Sequence, residues 1–356
     1  MGIGQARGAG RGRAVLLALL VTFLWSTSWI FIKWGLADIP PLAFAGLRYA
    51  TAFVLLAPIL WVRRAELRAL RSGDWILVVA LGVVLYALTQ GSQFLALANL
   101  DATTLSLCLS MTVVLVALIG SATHKEAPRP LQWIGVAVAA AGAAVYFLSS
   151  WSTSGTPWGF AFAALAVAAN AAAALLGRQV NRRRLASPLV VTAASMGVGA
   201  ALLLGAGWVI EGVPELSARS WGTICWLGLV NTALAFTLWS WTQQVLTAVE
   251  SSVINNTMLI QVAFLAWAFL GETQGPIEIV GLAAVAFGTF LVQWRRQDQS
   301  AGRGPLSDTR GTPPTSAPPA RQTRGWGTTG RGFLRPPRSP RRARRDPRVR
   351  RGPDRA

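Results

Sequence analysis

Amide, hydroxyl and indole side chains recur in this sequence inside stretches that are otherwise apolar. They are Trp25, Ser26, Ser28 and Trp29; Thr89, Gln90 and Gln93; Ser106, Ser110 and Thr112; Asn170; Asn231, Thr232 and Trp239; and Asn255, Asn256 and Gln261. Gln90 and Gln93 lie three apart, so a helix presents both on one face. Groups of this kind hold a ligand by hydrogen bonding and ring stacking; the hydroxyls among them break bonds only with a base beside them. Each also has a packing use. Serine and threonine bond to the preceding turn, asparagine and glutamine tie neighbouring helices, and tryptophan fills volume. Trp25, Trp29, Gln90, Gln93, Ser110, Asn170, Asn231, Trp239 and Asn256 are the candidate ligand contacts. Lys33 and Arg48 stand toward the ends of their apolar stretches. There a long cation either snorkels to an interface or holds a substrate carboxylate or phosphate at a gate.

Catalytic groups are missing from the same stretches. No Asp or Glu stands in the middle of any of them, and the single histidine, His124, sits beside Lys125 and Glu126 in an expected loop. A metal site or an intramembrane enzyme needs a ligand cluster, a nucleophile with its base, or paired carboxylates. Cys108 and Cys225 both fall in apolar runs and read as small hydrophobes. A P-loop is absent too. The expectation is a protein that is not an enzyme and needs no cofactor and no metal.

The elements that position these groups are membrane helices. Of 356 residues, 53% are hydrophobic and 13% charged, about half the charge of a soluble domain. A bilayer-crossing helix takes roughly 20 apolar residues. Runs of that kind cover Ala14–Leu36, Pro41–Val62, Trp75–Ala96, Ala102–Ser121, Leu131–Leu148, Trp158–Arg178, Pro188–Ile210, Trp221–Thr242, Ser251–Leu270 and Pro276–Gln293. The first is preceded by Arg7, Arg11 and Arg13, but it is too long for a signal-peptide core and reads as an uncleaved helix. The fold class is therefore all-α, an integral membrane protein of ten transmembrane helices.

Basic residues orient it. With a cytoplasmic N-terminus, Arg63, Arg64, Arg68, Arg71, Lys125, Arg129 and Arg182 to Arg184 all face inward, and the outer loops keep only Arg219. That is the positive-inside arrangement, with both termini cytoplasmic in a multi-pass cell-membrane protein. The formal charge of +19 resides largely in the segment after Trp294, which is rich in Arg, Pro and Gly. Such a segment cannot bury enough surface to order itself, so disorder is expected. Its charge fits anionic lipid at the inner face and does not require nucleic acid.

Internal repetition links the elements. A shift of 146 lays Trp75–Gly142 on Trp221–Gly288 without a gap, pairing Trp75 with Trp221, Gly82 with Gly228, Glu126 with Glu272, Pro130 with Pro276, Gly135 with Gly281 and Gly142 with Gly288. Each unit holds five spans, and five is odd, so the second copy enters the membrane from the opposite side. An inverted 5+5 repeat has two equivalent packings, one open to each side, which is the basis of alternating access. The fifth and tenth helices are almost wholly apolar, with glycines seven apart, and are expected to pack outside the polar ones. Four segments result: 1–13, a cytoplasmic N-terminal segment; 14–149 and 158–294, the two five-helix repeats; and 295–356, the cytoplasmic tail.

Leu24–Leu36 (LWSTSWIFIKWGL), Pro40–Ala52 (PPLAFAGLRYATA), Gly228–Thr242 (GLVNTALAFTLWSWT) and Glu250–Glu272 (ESSVINNTMLIQVAFLAWAFLGE) resemble the EamA-like branch of the drug/metabolite transporter superfamily. So does the doubled pattern of a glutamate followed four residues later by a proline, Glu126/Pro130 and Glu272/Pro276, at the two structural junctions. In one respect the sequence departs: Thr123-His124-Lys125 stands before Glu126 where the family has an apolar-Gly context. The resemblance implies a secondary carrier, an exporter of amino acids or related metabolites in a bacterial cell membrane. Its partners would be a small-molecule substrate and the bilayer, with a proton, a counter-substrate and a homodimer left open. A sensor or scaffold without transport is the competing class. An uncoupled facilitator or exchanger is the alternative within the first.

Overall fold

The computed structural model describes residues 3–124, 130–150, 155–183, 185–246 and 248–294, and ten long helices account for most of them. They are α1 (Ile3–Gly35), α2 (Pro41–Val62), α3 (Ser72–Asn99), α4 (Ala102–His124), α5 (Pro130–Ser150), α6 (Pro157–Arg183), α7 (Pro188–Ile210), α8 (Ala218–Val245), α9 (Ala248–Leu270) and α10 (Pro276–Trp294). All ten contain a stretch long and apolar enough to cross a membrane. No strand occurs among the described residues. Lys125, Glu126, Arg129 and the tail from 295 lie outside them.

Local chemistry explains where helices start. Five of the ten, α2, α5, α6, α7 and α10, begin on a proline. The missing N–H costs nothing in the first turn, and the fixed φ suits a helix. Their surfaces invert the pattern of a water-soluble protein. Val54, Ile76, Ile260 and Phe264 stand exposed on the outside of the bundle, while Thr22, Ser26, Thr103, Thr104 and Asn231 are buried within it. Apolar flanks and a polar interior suit lipid as solvent.

Packing follows the repeat. α5 meets α10 along their glycines, where a Cβ on Gly135 would stand 2.8 Å from the Gly288 carbonyl and one on Gly142 2.7 Å from that of Gly281. α2 packs on α7, α1 on α8 and α9, and α6 on α3 and α4. Exchanging the first five helices for the last five maps this pairing onto itself.

α3 and α8 depart from plain helices. Each carries a π-helical stretch, Gly82–Gln90 in α3 and Leu229–Leu234 in α8, at the same place in the repeat. The neighbouring glycines permit close crossings: a Cβ on Gly228 would stand 2.8 Å from the Thr51 side chain of α2, and one on Gly82 would meet Ser195 and Val198 of α7. Hydroxyls serve the widened turns, since Thr89 donates to the Val84 carbonyl at 2.7 Å and Thr232 to that of Leu227 at 2.9 Å. Each bond reaches back five residues, the spacing of a π turn.

Candidate functional site

Between the two halves lies a cavity of about 490 Å³, within the usual range for small-molecule sites. α1 to α4 supply one side and α6, α8, α9 and α10 the other. α5 and α7 contribute nothing to it. α10 does: Thr289 reaches the wall, so the tenth helix is not confined to the periphery as its apolar sequence suggested.

Of the residues singled out by sequence, Trp25, Trp29, Gln90, Gln93, Ser110, Asn170 and Asn256 line this cavity together. Gln90 and Gln93 face it from one side of α3, and neither amide is hydrogen-bonded within the described structure. Asn256 accepts from Gln293 at 3.2 Å through Oδ1, and its buried Nδ2 has no partner among the described residues. Asn170 reaches Thr112 at 3.5 Å across α6 and α4. Ser110 spends its proton on the Leu107 carbonyl at 2.7 Å, so it faces the cavity as an acceptor. Trp25 stands at the centre of an aromatic group with Phe236 at 5.4 Å and Trp239 at 5.3 Å.

Two candidates lie elsewhere. Trp239 backs Trp25 from behind the wall, and Asn231 is fully buried against α1, donating to the Leu24 carbonyl and to Thr27. Asn231 is thus interhelical glue, the role a buried amide in a membrane bundle commonly takes. Gln261 does the same for α1 and α9 through Ser26, Thr22 and Thr257.

The two cations separate. Lys33 donates to the carbonyls of Leu97 at 3.0 Å and Leu100 at 2.5 Å, satisfying the end of α3, and it does not line the cavity. Arg48 does. Its side chain is inside the bundle, 6% exposed, so it does not snorkel. Its Nε donates to Thr232 at 3.1 Å and its guanidinium lies 5.3 Å from the Tyr49 ring centroid. Since Thr232 also holds Leu227 at the π stretch of α8, that irregular turn sets the direction of Arg48. No carboxylate pairs with it among the described residues.

Sequence alone pointed to neither Tyr49, Phe94 nor Phe236 in the wall, because apolar and aromatic residues are everywhere in these helices. It also missed a set of carboxylate caps. Glu211, after α7, accepts from the first N–H groups of α2, Leu42 at 3.0 Å and Ala43 at 2.9 Å. Glu66, after α2, accepts from Ser187 ahead of α7 at 2.7 Å. An offset of 145 relates Leu42 to Ser187 and Glu66 to Glu211, so the two caps are equivalent, and that offset was the available signal. Glu272, read as a junction residue, caps α4 through Ala102 at 2.7 Å and Thr103 at 3.0 Å. Its repeat partner Glu126 lies outside the described residues. Pro130 and Pro276 open α5 and α10.

Known proteins agree with this architecture. The pattern of the EamA-like transporter family matches twice, at residues 12–148 and 157–294. The uncharacterized inner membrane transporter YedA of Escherichia coli K12 is 26% identical over 281 residues, covering 78% of this chain and 89% of YedA. The uncharacterized transporter YoaV of Bacillus subtilis is 24% identical, over 78% of this chain and 96% of its own length. A protein of solved crystal structure shares the fold with a TM-score of 0.58 at 18% identity, covering 79% of this chain and 97% of its own. Two copies of one five-helix unit, each recognised separately, make this chain a membrane transporter and a member of the EamA-like transporter family.

Proposed function

We propose that this protein is a secondary carrier for a small metabolite, acting as an exporter by alternating access between its two inverted halves. The observation that carries this reading is the cavity's position, walled by four helices from each half, so that rocking one half on the other would open it to either side. Both termini are taken as cytoplasmic, because Arg11, Arg13, Arg63, Arg64, Arg68 and Arg71 gather at that end. No Asp or Glu lines the cavity among the described residues, which favours exchange or facilitated movement over a proton-driven cycle.

Counterflow into proteoliposomes, with metabolites screened as preloaded exchangers, tests the carrier reading. Saturable uptake is expected, and Ala174→Trp, which places an indole in the cavity wall, should reduce it at least tenfold without unfolding the protein. Uptake that is unsaturable, or unaffected by Ala174→Trp, would sink it. Collapse of an imposed pH gradient should leave exchange intact.

A further inference from the structure

We infer that the cavity selects a small organic monoanion, a carboxylate on a largely apolar or aromatic body, and that Arg48 is the group that binds its charge. This rests on the carrier reading for its physiological meaning, though not for the binding itself.

Arg48 is the eighth residue of α2, about 10 Å along a helix rising 1.5 Å per residue. At that depth an arginine facing lipid would stretch to the interface; this one lines the cavity and is only 6% exposed. A charge so placed is expensive unless something compensates it. Thr232 satisfies Nε alone, and the Tyr49 face offers a weak second contact. Among the described residues neither terminal nitrogen has a hydrogen-bond partner, and a guanidinium with both free carries the forked donors that receive a carboxylate through two parallel bonds.

The rest of the wall narrows the class. It presents neutral amides, hydroxyls and the rings of Trp25 and Trp29, and contains no Asp or Glu among the described residues. A single fixed positive charge neutralises a monoanion and leaves a phosphate dianion half uncompensated. An ammonium group finds no counter-charge here, so an amino acid gains from Arg48 through its carboxylate and loses by burying its cation. The favoured ligand is therefore the acid without the amine.

Four probes of one shape separate these cases: 3-phenylpropionate, phenylalanine, phenethylamine and 3-phenylpropanamide. Thermal unfolding and competition binding on the purified full chain should rank 3-phenylpropionate at least tenfold above the amide and the amine, and above phenylalanine. Phenyl phosphate, tested where it is a dianion, should compete less well than the carboxylate. Arg48→Gln should erase the preference for acid over amide. Arg48→Lys, which retains charge but loses the fork, should keep it in weakened form, and serves if Arg48→Gln does not fold. Equal or better binding of amide, amine or phosphate, or an acid preference surviving in Arg48→Gln, would overturn the inference. So would the failure of every carboxylate, formate included, to stabilise the protein beyond chloride at equal ionic strength. Acid binding at Arg48 without any flux in proteoliposomes would instead refute the carrier reading and leave this one standing.

Discussion

Carboxylates at the helix ends of this bundle act on backbone rather than on ligand. Glu66 shows the consequence for pH. The Ser187 N–H that it accepts at 2.7 Å, aided by Arg63 at 3.1 Å, holds its pKa below the ordinary glutamate value of 4.5. A depressed folded pKa means stability that is present above pH 4.5 and lost as pH falls through the folded value. Thermal unfolding in detergent should therefore steepen its decline below pH 4.5, and Glu66→Gln should flatten that part of the curve. An unchanged slope in the variant would remove Glu66 from the account. Asp101, between α3 and α4, has the opposite sign: burial first, and then Glu272, raise its pKa, so its contribution is lost as pH rises. The two residues have the same chemistry. Hydrogen-bond donors lower the one, and burial with a neighbouring carboxylate raises the other.

Helix elements carry the next level of information. The glycines at 135, 142, 281 and 288 let α5 and α10 approach until backbone meets backbone. Packing of this kind, together with interhelical hydrogen bonds, replaces the hydrophobic drive that lipid cannot supply. Gly142→Leu places a branched side chain where a Cβ alone would already stand 2.7 Å from the Gly281 carbonyl. Overpacking in a tight core costs roughly 1–3 kcal/mol, so a clear drop in melting temperature is expected for purified Gly142→Leu. Gly212→Ala is a different case, with nothing within 4 Å of its Cβ but a φ of +81 that strains any other residue. The spacing of the paired glycines was legible in the sequence. The π stretches of α3 and α8 were not, because Gly82–Gln90 and Leu229–Leu234 have ordinary helical composition, and a threonine that bonds five residues back looks no different in sequence from one that bonds four back.

At the scale of the whole molecule, inversion of the two halves makes a prediction independent of substrate. Reporter tags inserted after Lys125 and after Glu272 should fall on opposite sides of the membrane, with the first on the side of both termini. The same side for both would dissolve the inverted arrangement. The cavity lies where the halves meet, and Trp25, Trp29, Gln90, Gln93, Ser110, Asn170 and Asn256 are drawn there from five different helices.

Period, length and composition sufficed by themselves for the ten helices and the doubling, because hydrocarbon forces each span to satisfy its own backbone and leaves apolar runs as an unambiguous record. Rotation about the helix axis left no such record. Whether Asn231 turns to α1 or to a ligand, whether Trp239 stands in the wall or behind it, and whether Lys33 or Arg48 enters the cavity depend on which neighbour each face meets. Those are long-range contacts, made only when α1 closes on α8 and α2 on α7, and tertiary packing alone decided them.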